Sequence, residues 1–349
     1  MVEPELGVTT VPIGQGDSTV IHCPTSTGDV SIIDMGCFGG CPDMTIKQYV
    51  HEIEFQFLAV TPGNQAGYRK LKRVFLTHAD ADHVNYAYDG KGNGLLEKYE
   101  RNWEQGVTPL DVYIGNYQSW SVEKPALVNF LNNSPAFKIR SDSNWQAVDG
   151  IVQICSEPDA TIKIIASDLG SSKNAKSMIM SLRIKDSKLT HKKMLFLGDF
   201  ESSYDILLSA YVNEIRDHDI VMIPHHGAAS NGNPNKNFYE LVKPTYAIVS
   251  AEIDSNNKHP KMETLQAICR TPTEAVEPRF PNNDPNEHLK PMGWIKNNAG
   301  VEDVLELLYC DVKIYQTYTL TGPPDYKNKP YYIDIIISAT TTNVRCEDP

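Results

Sequence analysis

Among the 349 residues no apolar run approaches the ~20 needed for a helix to cross a bilayer, so no membrane-spanning helix is expected. Low-complexity tracts and fixed short repeats are missing too. The opening MVEPELGVTT lacks the basic-then-apolar pattern of a secretory signal. A cytoplasmic location is therefore the expectation, with export left open because a removed leader could precede the numbering. Positive charge is in deficit: 32 Lys and Arg against 44 Asp and Glu leave a formal net charge of -12. That balance argues against a broad basic face for non-specific nucleic-acid binding. It does not exclude nucleic acid as a partner, because metal ions can offset acidic ligands gathered in one cleft. Seven cysteines, Cys23, Cys37, Cys41, Cys155, Cys269, Cys310 and Cys346, are an odd number without an ordered framework. Cys37 and Cys41 are close, but a metal ribbon needs a second close pair. Unpaired or structural thiols are expected, with one or two disulfides as the alternative.

What is present is the composition of an ordinary soluble globular protein, 41% hydrophobic and 22% charged. The opening third alternates short β-type runs with turns: GVTTVPIG, then GQGD, STVIHCP and DVSIIDMG. They predict an antiparallel meander ending in a buried strand capped by Asp34 and Gly36. Ile46, Tyr49, Val50, Ile53 and Phe57 recur at helical spacing. KRVFL is a buried strand, and GLLEKYERNW and PALVNFLNN are helices around a strand at DVYIG. A second run of strands follows (GIVQICS, ATIKIIAS, SMIMSLRI, KMLFLGD). Helices and strands then alternate through SYDILLSAYVNEI, DIVMIP, KNFYELV, YAIVSA and METLQAI. Residues 270–300, rich in Pro, Asn and Gly, read as a long loop. Two strand candidates, DVKIYQTYTL and YYIDIIISAT, lie beyond it. The rhythm of strands, helices, strands, helices suits an α/β protein with two sheets packed together and helices on their outer faces.

The chemistry gathers at strand ends. FLTHADADHV places His78, Asp80, Asp82 and His83 directly behind an apolar run. Two imidazoles and two carboxylates so close would repel or lose solvation unless a cation fills the gap, and this mixture of nitrogen and oxygen donors suits a Zn2+ or Mn2+ class ion. KMLFLGDFE delivers Gly198 and Asp199 at another strand end, where α/β sites collect. DIVMIPHHGAAS brings His225 and His226 before a glycine, and His259 stands in a loop that enters a helix. In isolation each of these last three reads equally well as a cap or a surface group.

Taken in order, HxDxDH, Gly-Asp and Pro-His-His-Gly resemble the metallo-β-lactamase superfamily. IGQGDSTVI (13–21), IIDMG (32–36), NAKSMIMSL (174–182) and His259–Pro260 agree with it. The family usually shows HxHxDH; Asp80 in place of the second histidine resembles the hydrolase domain of bacterial DNA-uptake (competence) channel proteins. The match runs from about residue 8 to 268. It implies a four-layer αββα sandwich, a single hydrolase domain over 1–349, with 270–349 a C-terminal extension unlike the family. It also implies two ions, Zn2+ or Mn2+. His78 and Asp80 would hold the first, and Asp82 and His83 the second. Asp199 would bridge them, and His226 would ligate, with His225 as the alternative. Ahead of SMIMSL the family usually places another histidine; here stand Asn174, Ala175, Lys176 and Ser177. That departure favours Mn2+ or a weakly held first ion.

The activity so implied is metal-dependent hydrolysis by a metal-activated water. Asp82 would orient the water, and His259 or the non-ligating member of the His225/His226 pair would contact the phosphate or protonate the leaving oxygen. A phosphodiesterase or nuclease is the first reading. A lactone, β-lactam or other carboxylic ester hydrolase is the alternative, and a non-catalytic metal-binding module is the third. GQGD (14–17) is expected to be a turn beneath the site, with Asp17 structural.

Overall fold

The computed structural model describes residues 5–24, 28–37, 45–141, 150–185, 191–201, 204–229, 235–251 and 257–269. Beyond these it describes 275–276, 292–296, 302–307, 312–316, 318–321, 327–330, 332–337 and 342–347. Fifteen strands build two large mixed sheets. They are β1 (Leu6–Thr10), β2 (Thr19–His22), β3 (Val30–Ile33), β4 (Leu71–Phe75), β5 (Leu110–Tyr113), β6 (Phe137–Arg140), β7 (Ile151–Cys155), β8 (Asp159–Ala166), β9 (Ile179–Lys185), β10 (His191–Phe196), β11 (Ile220–Met222), β12 (Tyr246–Val249), β13 (Lys313–Gln316), β14 (Tyr332–Ile337) and β15 (Thr342–Glu347). The first sheet runs β15-β14-β1-β2-β3-β4-β5-β6 and the second β13-β12-β11-β10-β9-β8-β7.

Alternation along the strands decides the layering. Leu6, Val8, Ile21, Ile33 and Phe75 of the first sheet meet Ile162, Ile164, Met180, Leu182 and Met194 of the second in one buried cluster between the sheets. The opposite face of the first sheet packs on α1 (Ile46–Glu52), α3 (Leu95–Arg101), α4 (Tyr117–Glu123) and α5 (Pro125–Asn133). The opposite face of the second carries α6 (Tyr204–Ala210), α8 (Lys236–Val242) and α9 (Met262–Ile268). The short helices α2 (Ala81–Val84) and α7 (Val212–Ile215) complete the set among the described residues. This is the αββα sandwich that the sequence led us to expect. No helix among the described residues is long and apolar enough to cross a membrane.

Within each sheet one half is parallel: β3-β4-β5-β6 in the first, β10-β11-β12-β13 in the second. Parallel strands bring their C-terminal ends to one edge, where the polar residues that follow them collect.

Two expectations are corrected. The window 270–300 is not all loop: Ala275–Val276 and Met292–Lys296 both pair with Glu302–Leu307 in a small separate sheet. Its Pro- and Asn-rich surroundings outweighed the β-forming Trp294 and Ile295. The thiols are also not all free. Cys23, just past β2, is bonded to Cys155 at the end of β7, joining the two sheets with Cα atoms 5.8 Å apart. Cys37 and Cys269 are disulfide-bonded as well. Cys23 and Cys155, with a sequence separation of 132, leave no spacing signature.

The Cys23–Cys155 bridge closes a loop of 132 residues, so its loss should cost about 2–4 kcal/mol through the greater freedom of the unfolded chain. Urea unfolding of Cys23→Ser should show that loss, and a reductant should lower the wild type but not the variant at this bond.

Candidate metal centre

Asp82 and His83 sit on α2, one turn long, entered from the end of β4. The turn is held from below by backbone hydrogen bonds, and at its end the Asn85 side chain joins both Cys37 N and Cys37 O. Asp17 N–H donates to Asp82 O (3.1 Å), and Met35 N–H donates to His83 O (2.8 Å). A Cβ on Gly36 would lie 2.3 Å from the backbone of Asp82 and His83, and one on Gly16 would lie 2.1 Å from Gly36 O. The GQGD and DMG turns are glycine-bearing because α2 rests on them. Asp199 follows β10 through Gly198, whose φ is +53° and whose Cβ would meet Thr77 Oγ1 at 2.8 Å. After β11, His225 (φ 51°) and His226 (φ 52°) are both left-handed, a costly conformation for residues with a Cβ. That conformation sends the two rings to opposite sides of Asp199.

The Asp199 carboxylate is the meeting point. Its Oδ1 faces His83 Nε2 at 3.0 Å and His226 Nε2 at 3.5 Å, and His226 Nε2 is also 3.5 Å from Asp82 Oδ2. Its Oδ2 faces His78 Nε2 and His225 Nε2, each at 3.9 Å. The centre therefore has a tight half, Asp82–His83–Asp199–His226, whose donor atoms lie within 4.8 Å of one another, and a looser half around Oδ2.

The outer nitrogens are fixed. Asp34, buried at φ +56°, accepts from Thr77 N and Thr77 Oγ1 (2.7 Å each) and lies 2.8 Å from His83 Nδ1. His226 Nδ1–H donates to Ser250 O at 2.7 Å, and Ser250 Oγ donates to Gly16 O at 2.6 Å. Imidazoles held at Nδ1 in this way present Nε2 to a metal. His78 Nε2, His83 Nε2, His226 Nε2 and Asp199 Oδ1 are buried with no hydrogen-bond partner among the described residues. Orphaned buried donor atoms that converge on one point are costly unless something fills it. With metal–ligand bonds near 2.0–2.2 Å, a tetrahedral ion needs donors about 3.3–3.6 Å apart. The observed 3.5 Å separations fit an ion in the tight half.

Electrostatics say the same. Burial opposes charge on His83, yet Asp199 and Asp34 hold its pKa well above the ordinary value. Burial likewise opposes charge on His226, but Asp199, Asp82 and Asp17 raise its pKa to about 10. Asp199 is kept well below the carboxylate range, against its burial, by His83 and His226. The carboxylates thus draw cationic partners from the rings around them, a demand that a divalent cation meets directly. His78 goes the other way: burial and His83 lower it to about 4. Asp17 is pushed up to about 6 by burial.

Of the residues read from the sequence, Asp82, His83, Asp199 and His226 come together in the tight half. His78 and His225 face the other oxygen of Asp199. Asp80 lies 3.9 Å from His78 Nε2 but also pairs with Lys173 Nζ at 3.1 Å, leaning toward the surface. His259 stays outside the donor set, its ring 5.8 Å from that of His225. Burial, then His226 and His225, hold it down to about 3, so at neutral pH its ring is uncharged. Asn174, in the stretch ahead of SMIMSL, places Nδ2 3.4 Å from His225 Nε2. Sequence reasoning took Asp34 as a strand cap and gave Thr77, Glu201 and Ser250 no role. Glu201 Oε2 is 3.1 Å from His225 Nδ1. A carboxylate two residues past Asp199 was the available signal for it.

No family model matches the chain. Among curated proteins it is 24% identical over 261 residues to ComE operon protein 3 from Bacillus subtilis (strain 168). That stretch covers 74% of this chain and 30% of the length of that protein. The similarity agrees with the resemblance carried by the motifs. Solved structures it is similar to include the metallo-β-lactamase fold protein YhfI from Bacillus subtilis, at 11% identity and a TM-score of 0.41, over 70% of this chain and 87% of that one. Another is the metallo-β-lactamase MIM-1 from Novosphingobium pentaromativorans, at 12% identity and 0.33, over 74% and 85%.

Protein stripped of metal and then given Zn2+ or Mn2+ at about 100 times its Kd should gain about 2.7 kcal/mol of stability. Asp199→Asn, which keeps the shape but removes the charge, should lose both the gain and the bound metal. A wild-type melting curve that neither ion shifts would sink the metal assignment.

Proposed function

We propose that the chain is a metal-dependent hydrolase whose substrate is a phosphodiester. The observation that carries this is the Asp199 carboxylate, buried with one oxygen turned to each half of a histidine-lined centre. His83, Asp82 and His226 would hold one ion, and His78 and Asp80 a second, with Asp199 shared between them. Bound there, such ions supply a water acidified toward neutral pH and positive charge against the transition state.

The chain's own groups set the rest. Asp34 and Ser250 O lock His83 and His226 in orientation, so the site is formed before substrate arrives. Asp82 is the most accessible of the tight group and can accept a proton from the attacking water. His225, backed by Glu201 at 3.1 Å, is the most exposed imidazole of the centre and can contact the phosphate or the leaving oxygen. His259, neutral and behind His225, can still donate one N–H to an oxygen. Oxygen donors from Asp80, Asp82 and Asp199, with no histidine in the stretch 174–177, support Mn2+ alongside Zn2+ and a phosphorylated substrate. The Cys23–Cys155 disulfide supports an oxidising compartment over a cytoplasmic one.

With Zn2+ or Mn2+ present, purified protein should hydrolyse bis(p-nitrophenyl) phosphate, and Asp199→Asn or His83→Ala should reduce kcat/KM by at least about a hundredfold. Hydrolysis of lactones or β-lactams with none of either phosphodiester or DNA would move the protein to the carboxylic ester reading. Full metal loading without turnover of any of them would leave a binding module.

A further inference from the structure

At the end of α2, just past His83, Asn85 has a side chain in use for which its backbone gives no reason. Asparagine is common at helix C-termini where a left-handed φ is needed, but Asn85 has φ -69° and ψ -18°, angles open to any residue. The amide is what is used. Cys37 N–H donates to Asn85 Oδ1 at 2.7 Å, and Asn85 Nδ2 donates to Cys37 O. The neighbouring rungs are backbone: Met35 N–H donates to His83 O and Tyr86 N–H to Met35 O, each at 2.8 Å. A primary amide offers the same donor and acceptor as a peptide group. Asn85 thus adds one more rung to this short ladder, at a point where its own N–H is already taken by Ala81 O (3.0 Å).

That rung reaches further than a helix cap. Cys37 is buried and disulfide-bonded, so Asn85 grips a residue that is itself held. Beneath it lies the GQGD turn, where a Cβ on Gly16 would stand 2.8 Å from Cys37 Cα. The same turn touches the other side of the centre, because Gly16 O accepts from Ser250 Oγ and Ser250 O accepts from His226 Nδ1. One run of contacts therefore leads from Asn85 through Cys37, Gly16 and Ser250 to His226. It holds α2, which carries Asp82 and His83, against the loop that carries His226, across the 3.5 Å between His226 Nε2 and Asp82 Oδ2. A helix as short as Ala81–Val84 has no stability of its own, so its place is set by what grips it.

We infer that Asn85 is a positioning residue for the metal centre: its amide keeps α2 at the spacing that lets Asp82 and His83 share an ion with His226. This rests on the metal-centre assignment above and adds to it a residue outside the donor set.

Co2+ is the probe, since it accepts nitrogen and oxygen donors as Zn2+ and Mn2+ do and its visible bands report its ligands and geometry. Chelator competition on metal-stripped wild type, Asn85→Ala and Cys23→Ser separates positioning from general stability. Cys23 lies at the opposite end of β2 from the GQGD turn, so Cys23→Ser should unfold more easily yet bind Co2+ as wild type does. Asn85→Ala should bind it about tenfold more weakly, the lower end of what losing an outer partner costs a metal site, with visible bands changed in position or intensity. Asn85→Ser, whose hydroxyl can replace one of the two bonds, should fall between, and it carries the test if Asn85→Ala does not fold. Wild-type affinity and an unchanged spectrum in the Asn85 variants would make Asn85 an ordinary cap and overturn the inference while leaving the centre standing. An equal loss of affinity in Cys23→Ser would do the same. Failure of wild type to bind Co2+ would overturn the centre and this role together.

Discussion

A carboxylate taken out of water must be met by positive charge, and Asp199 is the carboxylate on which this molecule turns. Only 2% exposed, it has an imidazole on every side that counts: His83 and His226 at one oxygen, His78 and His225 at the other. Burying it is tolerable because those rings answer its charge. The demand passes outward. His83 can stand there because Asp34 holds its far nitrogen, and Asp34 can be buried because Thr77 donates to it twice.

Backbone contact is what gives this network its precision. Four segments reach the centre from the C-terminal ends of parallel strands in two different sheets, and side chains alone would leave them free to drift. Instead α2 rests on the backbone at Gly16 and Gly36, Met178 N–H donates to Thr77 O, and His225 N–H donates to Gly198 O. The first of these two hydrogen bonds ties the segment after β4 to the residue before β9, and the second ties the segments after β10 and β11. Pre-set geometry of this kind lets polar groups act without reorganising when charge develops.

Much of this was legible because apolar runs of five or so residues, each followed by polar ligands, are hard to read as anything but buried strands ending at a site. KRVFL, KMLFLGD and DIVMIP each became a strand with the chemistry behind it. PALVNFLNN is the helix Pro125–Asn133, with its proline at the first turn as expected. What escaped depended on distance. Helix Tyr117–Glu123 and strand Phe137–Arg140 have weak periodicity and are fixed by packing on Leu127, Leu131 and neighbours. Whether His225 or His226 turns to a given side rests on two left-handed backbone angles that no side-chain pattern announces. The partner of Cys23, and the meeting of Lys173 with Asp80, join segments that only the folded sheets bring together.

The strand pairing of β1 reaches furthest along the chain. Leu6 lies opposite Ile337, and the register continues to Thr10 opposite Ile333, so the interior of the first sheet joins segments more than three hundred positions apart in sequence. Until β14 is in place, β1 keeps a bare flank of amide and carbonyl groups, open to pairing with any passing strand. A sheet laced together across so long a stretch of chain closes late and leaves this edge exposed during folding, which makes the folding chain a natural client for chaperones.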